Sequence, residues 1–180
     1  IRNPPGSADP ALFLSGKTVY LVDAHSLIYQ VFHALPEMSG PNGQPVGAVH
    51  GFVRDVLDLI EVRGADYVIC AFDHPGPTFR HELYDQYKID REEMPGDLQL
   101  QIPVIEQFMA ALGVPSPSLA GFEADDILAT LARQVEAAGG RCLLVTGDKD
   151  CRQLISDQIQ IYDIRKNAVF DAAALLVKWG

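Results

Sequence analysis

Apolar positions along this chain follow two rhythms. Short unbroken runs, Thr18-Val-Tyr-Leu-Val22, Tyr67-Val-Ile-Cys-Ala-Phe72 and Cys142-Leu-Leu-Val-Thr146, read as strands buried on both faces. Between them the spacing turns helical. Ser26 to Leu35 predicts one helix, and Ala48, Val49, Phe52, Val53, Val56, Leu57, Leu59 and Ile60 predict a second that stops near Gly64. Ile127, Leu128, Leu131, Ala132 and Val135 mark the apolar face of another. Met38 to Pro45 is a dense turn signal with Asn42-Gly43 at its tightest point. Gln158 to Tyr162 adds a short strand, and Asp171 is placed to cap a closing helix through Trp179. Strands alternating with helices predict an α/β fold: a mainly parallel central sheet flanked by helices, with right-handed crossovers.

The polar positions become informative where the apolar runs stop. Each long run ends on an acid: Asp23, Asp73, and Asp148 with Asp150 two residues on. In open parallel sheets, ligands sit beyond the carboxyl ends of the strands. Gly121-Phe-Glu-Ala-Asp-Asp126 adds Glu123, Asp125 and Asp126 at the start of a helix. A helix start favours negative charge and a strand-end Asp caps the helix that follows, so capping suits any one of these acids alone. Three strand ends plus a triple-acid helix start exceed that need. Carboxylates crowded together repel, and divalent cations relieve the repulsion. With oxygen ligands and no His or Cys, the set suits Mg²⁺ or Mn²⁺ rather than zinc, and two such ions about 4 Å apart support phosphodiester cleavage by water.

Charge and composition narrow the options. Fourteen Lys and Arg against 24 acids leave a formal charge of -10, which excludes a broad basic surface and makes any nucleic-acid contact local or metal-assisted. Arg80, Tyr84, Lys88 and Arg91 supply a local candidate. On a continuous helix they would form one cationic stripe with a ring for stacking, although intervening acids also suit a solvated face. The apolar runs are too short for a bilayer, so no membrane role is expected. Cys70, Cys142 and Cys151 lack metal-ligand spacing and fit reduced packing residues of a cytosolic protein. The five histidines also lack metal spacing, with His74, next to Asp73, singled out for inspection. Residues 1–16 read as a flexible lead and 17–180 as one domain.

Taken in order, Val22-Asp23, Phe72-Asp73, Thr78-Phe-Arg-His-Glu-Leu-Tyr84, Tyr87-Lys88, Arg91, Gly121 to Asp126 and Thr146-Gly-Asp-Lys-Asp150 resemble the 5′ to 3′ exonuclease and flap endonuclease superfamily. The likeness is greatest to the N-terminal 5′ nuclease domain of bacterial DNA polymerase I. It implies a PIN-like (resolvase-like) nuclease core with a helical arch. By motif it implies metal ligands at Asp23, Asp73, Glu123, Asp125, Asp126, Asp148 and Asp150, serving two Mg²⁺ or Mn²⁺ ions. It further implies that Arg80 and Lys88 act on the scissile phosphate, with Tyr84, Tyr87 and Arg91 holding nucleic acid beside them. The implied substrate is DNA with a 5′ flap, nick or RNA primer, met in replication and repair by a monomer in the bacterial cytoplasm at the nucleoid. A polymerase following in the same chain would fit. Two departures stand out. The Gly-Asp-x-x-Asp-Asn motif of the family's C-terminal duplex-binding helical region is absent, and Gln30 stands where relatives often carry Arg. The alternative expectation is a non-catalytic or truncated nucleic-acid-binding module of the same fold.

Overall fold

The computed structural model describes residues 13–89 and 93–179. Among these, β1 (Thr18–Asp23), β2 (Tyr67–Ala71), β3 (Arg141–Val145), β4 (Ile159–Asp163) and β5 (Ala168–Phe170) form one sheet in the order β2-β1-β3-β4-β5. β1 pairs parallel with β2 and β3, and β3 pairs parallel with β4; β5 returns antiparallel. The first four strands lie where the apolar runs place them. β5, three residues of little burial, had no such run to announce it.

Alternation along the strands feeds two cores. Tyr20, Val22, Val68, Cys70, Leu143 and Val145 face one side. There they meet α1 (Ala24–Ala34), α2 (Gly47–Glu61) and α5 (Ile102–Leu112). Val19, Leu21, Cys142 and Leu144 face the other, under α6 (Ala124–Ala137). The helices therefore change sides around β1, which makes its carboxyl end a topological switch point. Leu21 and Val22 are fully buried, so the position of the next residue, Asp23, is set by the core on both faces.

Two contacts hold the first face in register. A Cβ at Gly51 would overlap Val31 Cγ1, which shows how closely α1 and α2 approach. α2 has no side-chain cap of its own. Gln101, buried to 2% exposure, supplies one from a distance: its Oε1 accepts from Ala48 N at 2.8 Å and Val49 N at 3.2 Å. Across the domain, buried Asp55 of α2 pairs with Arg165, which pins the β4–β5 hairpin to the helix layer. The closing helix, α7 (Ala172–Trp179), is capped as expected, with Ala174 N donating to Asp171 Oδ1 at 2.9 Å.

The segment after β2 departs from expectation. α3 (Phe79–Leu83) is a single short turn of helix, followed by α4 (Gly96–Gln99) only after the gap in the described residues. Tyr84 is extended (φ -150°, ψ 103°) and Lys88 has φ 56°, so no continuous helix carries Arg80, Tyr84 and Lys88 as one stripe. Arg91 lies outside the described residues. No helix among the described residues is long and apolar enough to cross a membrane.

The Gln101 cap generates a stability prediction. Gln101→Ala removes two hydrogen bonds to buried amides and is expected to cost about 1–3 kcal/mol in urea unfolding. A change in unfolding midpoint within error of zero would show that water replaces the amide there.

Candidate functional site

Asp23, Asp73, Glu123, Asp125 and Asp148 line one open cavity of about 410 Å³ at the carboxyl edge of the sheet. Parallel pairing brings Asp23 beside Ala71, two residues before Asp73, and aligns Val22 with Val145, three before Asp148. α6 delivers Glu123 and Asp125 from its first turn.

Capping and pocket formation coincide here. Asp23 accepts from Ser26 N at 3.0 Å, capping α1, and from Thr146 Oγ1 at 2.9 Å. Burial pushes its carboxyl above the ordinary range, against those two hydrogen bonds. Asp73 accepts from Ala124 N, in the first turn of α6, at 2.8 Å. Its own backbone N donates to His25 Nδ1 at 3.2 Å. Asp125 is the least compensated: burial first, then Asp23 and Asp148, push it up to about 6. Its nearby partner is the buried Cys151 thiol, 3.7 Å away, which burial and Asp125 together raise far out of the reactive range. Cys151 is therefore a packing residue, as are Cys70 and Cys142, each pushed by burial up to about 12.

Cations reach in from the short helix after β2. Arg80 donates to both oxygens of Asp126 at 2.7 Å and approaches Glu123 at 3.4 Å. Lys88 Nζ lies 2.8 Å from Glu123 Oε1, and Tyr87 OH donates to Glu123 Oε2 at 3.1 Å. The guanidinium beside Asp126 holds that carboxyl below its usual range. Phe79 N donates to Gly121 O at 2.9 Å, tying this segment to the loop that opens α6. Glu123 and Asp126 do share a cation, and it is the guanidinium of Arg80.

Not every expected site residue faces the cavity. Asp126 turns to Arg80 and, through Oδ2, accepts from Glu123 N at 3.0 Å. Asp150 opens a 3-10 turn (Asp150–Leu154), its N donating to Asp148 Oδ1 at 2.8 Å. Tyr84 is exposed and bonds Gln86 at 3.2 Å. His74 accepts from Gly76 N at 3.1 Å, a local turn contact. The structure adds His25, Ser26, Tyr29 and Gln30 to the cavity wall. For His25, Ser26 and Tyr29 the clue in the sequence was position alone, within two turns of Asp23; Gln30 was already marked as standing where relatives often carry Arg.

The donor set fits hard divalent ions: five carboxylates, all oxygen, with unrelieved repulsion centred on Asp125. Among the described residues no three such groups already close on one point as a finished cage. Glu123 and Asp126 are engaged instead by Arg80, Lys88 and Tyr87.

Fold and site together define a resolvase-like α/β domain with an acidic pocket at the switch point of its sheet. The chain belongs to the 5′-3′ exonuclease family, N-terminal resolvase-like domain, which its residues 18–180 match. It is 35% identical over 164 residues to a 5′-3′ exonuclease of Aquifex aeolicus, covering 91% of this chain and 57% of the relative. It is 41% identical over 150 residues to the thermostable DNA polymerase I of Thermus aquaticus, covering 83% of this chain and 18% of that protein. The chain thus spans little more than half of one relative and under a fifth of the other. In fold it is similar to the flap endonuclease of bacteriophage T5, solved as a pseudo-enzyme-product complex with DNA and metal ions. That match has a TM-score of 0.70 at 16% identity and covers 90% of this chain and 60% of the other.

The pocket's electrostatics predict a pH dependence. A carboxyl whose folded-state pKa is raised stabilises the fold fully below its unfolded value and loses that contribution as pH rises through the folded value. For Asp125 the window runs from 3.8 to about 6. In EDTA, Asp125→Asn is expected to melt with the parent at pH 4 and a few degrees above it at pH 7. A difference independent of pH would show that the repulsion is relieved some other way.

Proposed function

We propose that this chain is the catalytic core of a divalent-metal-dependent 5′ nuclease that hydrolyses phosphodiesters at flaps, nicks or primers. The observation that carries the reading is the convergence of Asp23, Asp73, Glu123, Asp125 and Asp148 on one cavity beside Arg80 and Lys88. Family membership and the exonuclease and polymerase relatives support it. The five cavity-facing acids would hold Mg²⁺ or Mn²⁺. When bound, such ions activate water and offset the charge that develops on the departing oxygen.

The chain's own residues do the rest. Asp23 and Asp73, bonded through Ser26, Thr146 and Ala124, are oriented before any ligand arrives. Asp125 supplies the charge least matched by protein partners. Lys88 lies on the cavity wall and Arg80 beside it, so both are within reach of the non-bridging oxygens of an entering phosphate. A phosphate that takes over Lys88 and Arg80 frees Glu123 toward the cavity, which couples substrate entry to completion of the acid set. Tyr87, bonded to Glu123, follows the same exchange. The organisation is electrostatic and positional, and no side chain acts as a nucleophile.

A 5′-labelled flap duplex incubated with Mg²⁺ is expected to give a shortened product that EDTA suppresses and that Asp148→Ala reduces by at least about a thousandfold, an oxyanion-scale loss. No metal-dependent product from the parent chain would favour a non-catalytic binding module. Asp126 allows a finer test. Asp126→Asn is expected to keep the Mg²⁺-induced rise in melting temperature while weakening substrate binding, because its side chain meets Arg80 rather than the cavity. Loss of that rise would make Asp126 a ligand.

A further inference from the structure

The carboxyl edge does not end at Asp148. Beyond β3 and β4 a second cavity of about 400 Å³ opens, sharing Gln30, Gly147 and Asp148 with the acidic one. Its wall carries Arg152, Arg165, Lys166 and Lys178. These are four of the 14 Lys and Arg in a chain of net charge -10, so their meeting in one place runs against the composition.

Arg165 and Lys166 help to preorganise the wall. Arg165 is bound to buried Asp55, and Lys166 pairs with Asp163 at 2.8 Å. Asp163 Oδ1 also accepts from the backbone N of both residues at 3.0 Å, which closes the β4–β5 turn. Arg152 is carried on the 3-10 turn after Asp148 and lies 5.5 Å over the Phe170 ring. Lys178 comes from α7. On the opposite flank of the acidic cavity, a third cavity shares Asp73, Lys88 and Glu123 with it. The acidic middle of the edge thus has Lys88 on one side and the four cations of the second cavity on the other.

We propose that the cavity under the β4–β5 hairpin is a second backbone subsite, taking the sugar-phosphate chain of the nucleic acid on the side of the acidic pocket away from Arg80, with Arg152 and Lys178 as phosphate contacts. This rests on reading the acidic pocket as a nuclease centre. A single phosphate would need only Arg80 and Lys88. A polymer must also cross the rim at Asp148, beside five acids whose charge two divalent ions do not fully cancel, and cations just beyond that rim offset the remainder.

The test is fluorescence anisotropy of a labelled nicked duplex, with Ca²⁺ in place of Mg²⁺, across a KCl series. Arg152→Ala combined with Lys178→Ala is expected to weaken binding roughly tenfold and to flatten the plot of log Kobs against log salt by about 1.8, at about 0.9 per phosphate contact on duplex. Arg152→Lys should keep the parent's slope, and Arg133→Ala, the loss of one cation on α6 away from the cavity, should match the parent. The Mg²⁺-induced rise in melting temperature should survive in the double variant, which reports an intact fold and acidic pocket. Parent-like affinity and slope in the double variant would overturn the subsite, as would an equal loss from Arg133→Ala. A parent chain that binds no duplex and gains no stability from Mg²⁺ would instead remove the nuclease reading, and the subsite with it.

Discussion

Mutual repulsion among carboxylates at one end of a parallel sheet is the constraint the surrounding structure answers. Five of them share a single cavity. At close range in a partly desolvated site, each pair costs more than it would in water. Three devices offset that cost. Helix N-termini take Asp23 and Asp73, through Ser26 N and Ala124 N. Cations take Glu123 and Asp126, through Lys88 and Arg80. Asp125, left with a thiol for company, answers by holding its proton more tightly. The ranking follows directly from partners: the acid with a guanidinium is depressed, and the acid with a thiol and two acidic neighbours is raised.

Acid and cation halves of the site are built on different footings. Asp23 follows strand residues sealed on both faces, and Asp125 rides on a helix that buries Leu128, Ala132 and Val135. Arg80 sits on a five-residue helix with no buried residue, and Lys88 in a turn with positive φ. Few buried contacts mean that little free energy opposes local rearrangement there. The acids are therefore held and the cations hung beside them, an arrangement in which the cations can change partner while the carboxylate frame stays put. An anion entering the pocket would meet partners already close by, and the frame would not need to be rebuilt around it.

Much of this was legible in the sequence, for definite reasons. Apolar runs ending in Asp23, Asp73 and Asp148 fix both the strand and the side chain beyond it, because parallel register carries neighbouring strand ends to one edge. What escaped depended on tertiary contact. The spacing of Arg80, Tyr84 and Lys88 suits one helical face, yet Tyr84 leaves the helical region and the attraction of Glu123 and Asp126 draws the cations inward. Thr146 bonds Asp23 across 123 positions of sequence, a partnership that no local pattern encodes. Asp126 follows Asp125 in the acidic set, yet in this structure the two side chains part company. One residue along a helix turns a side chain by about 100°, enough to send it to Arg80 instead. β5 is too short and too exposed to produce a periodic signal at all.

Net charge was the sequence feature that argued most directly against a polyanionic ligand, and the structure offers a local quantity to set beside it. At physiological salt a charge is screened beyond about 8 Å, so acids on remote faces contribute little at the pocket. What a phosphate meets is the local order of charges along the carboxyl edge. That order runs from Lys88 and Arg80, through five carboxylates, to Arg152 and Lys178. Two divalent ions in the middle segment would set four positive charges against its five carboxylates and nearly cancel the repulsion there. Without them the same edge repels at its centre. On the proposed reading, the acidic pocket would make attraction for a phosphate backbone depend on metal, which a uniformly basic groove could not do.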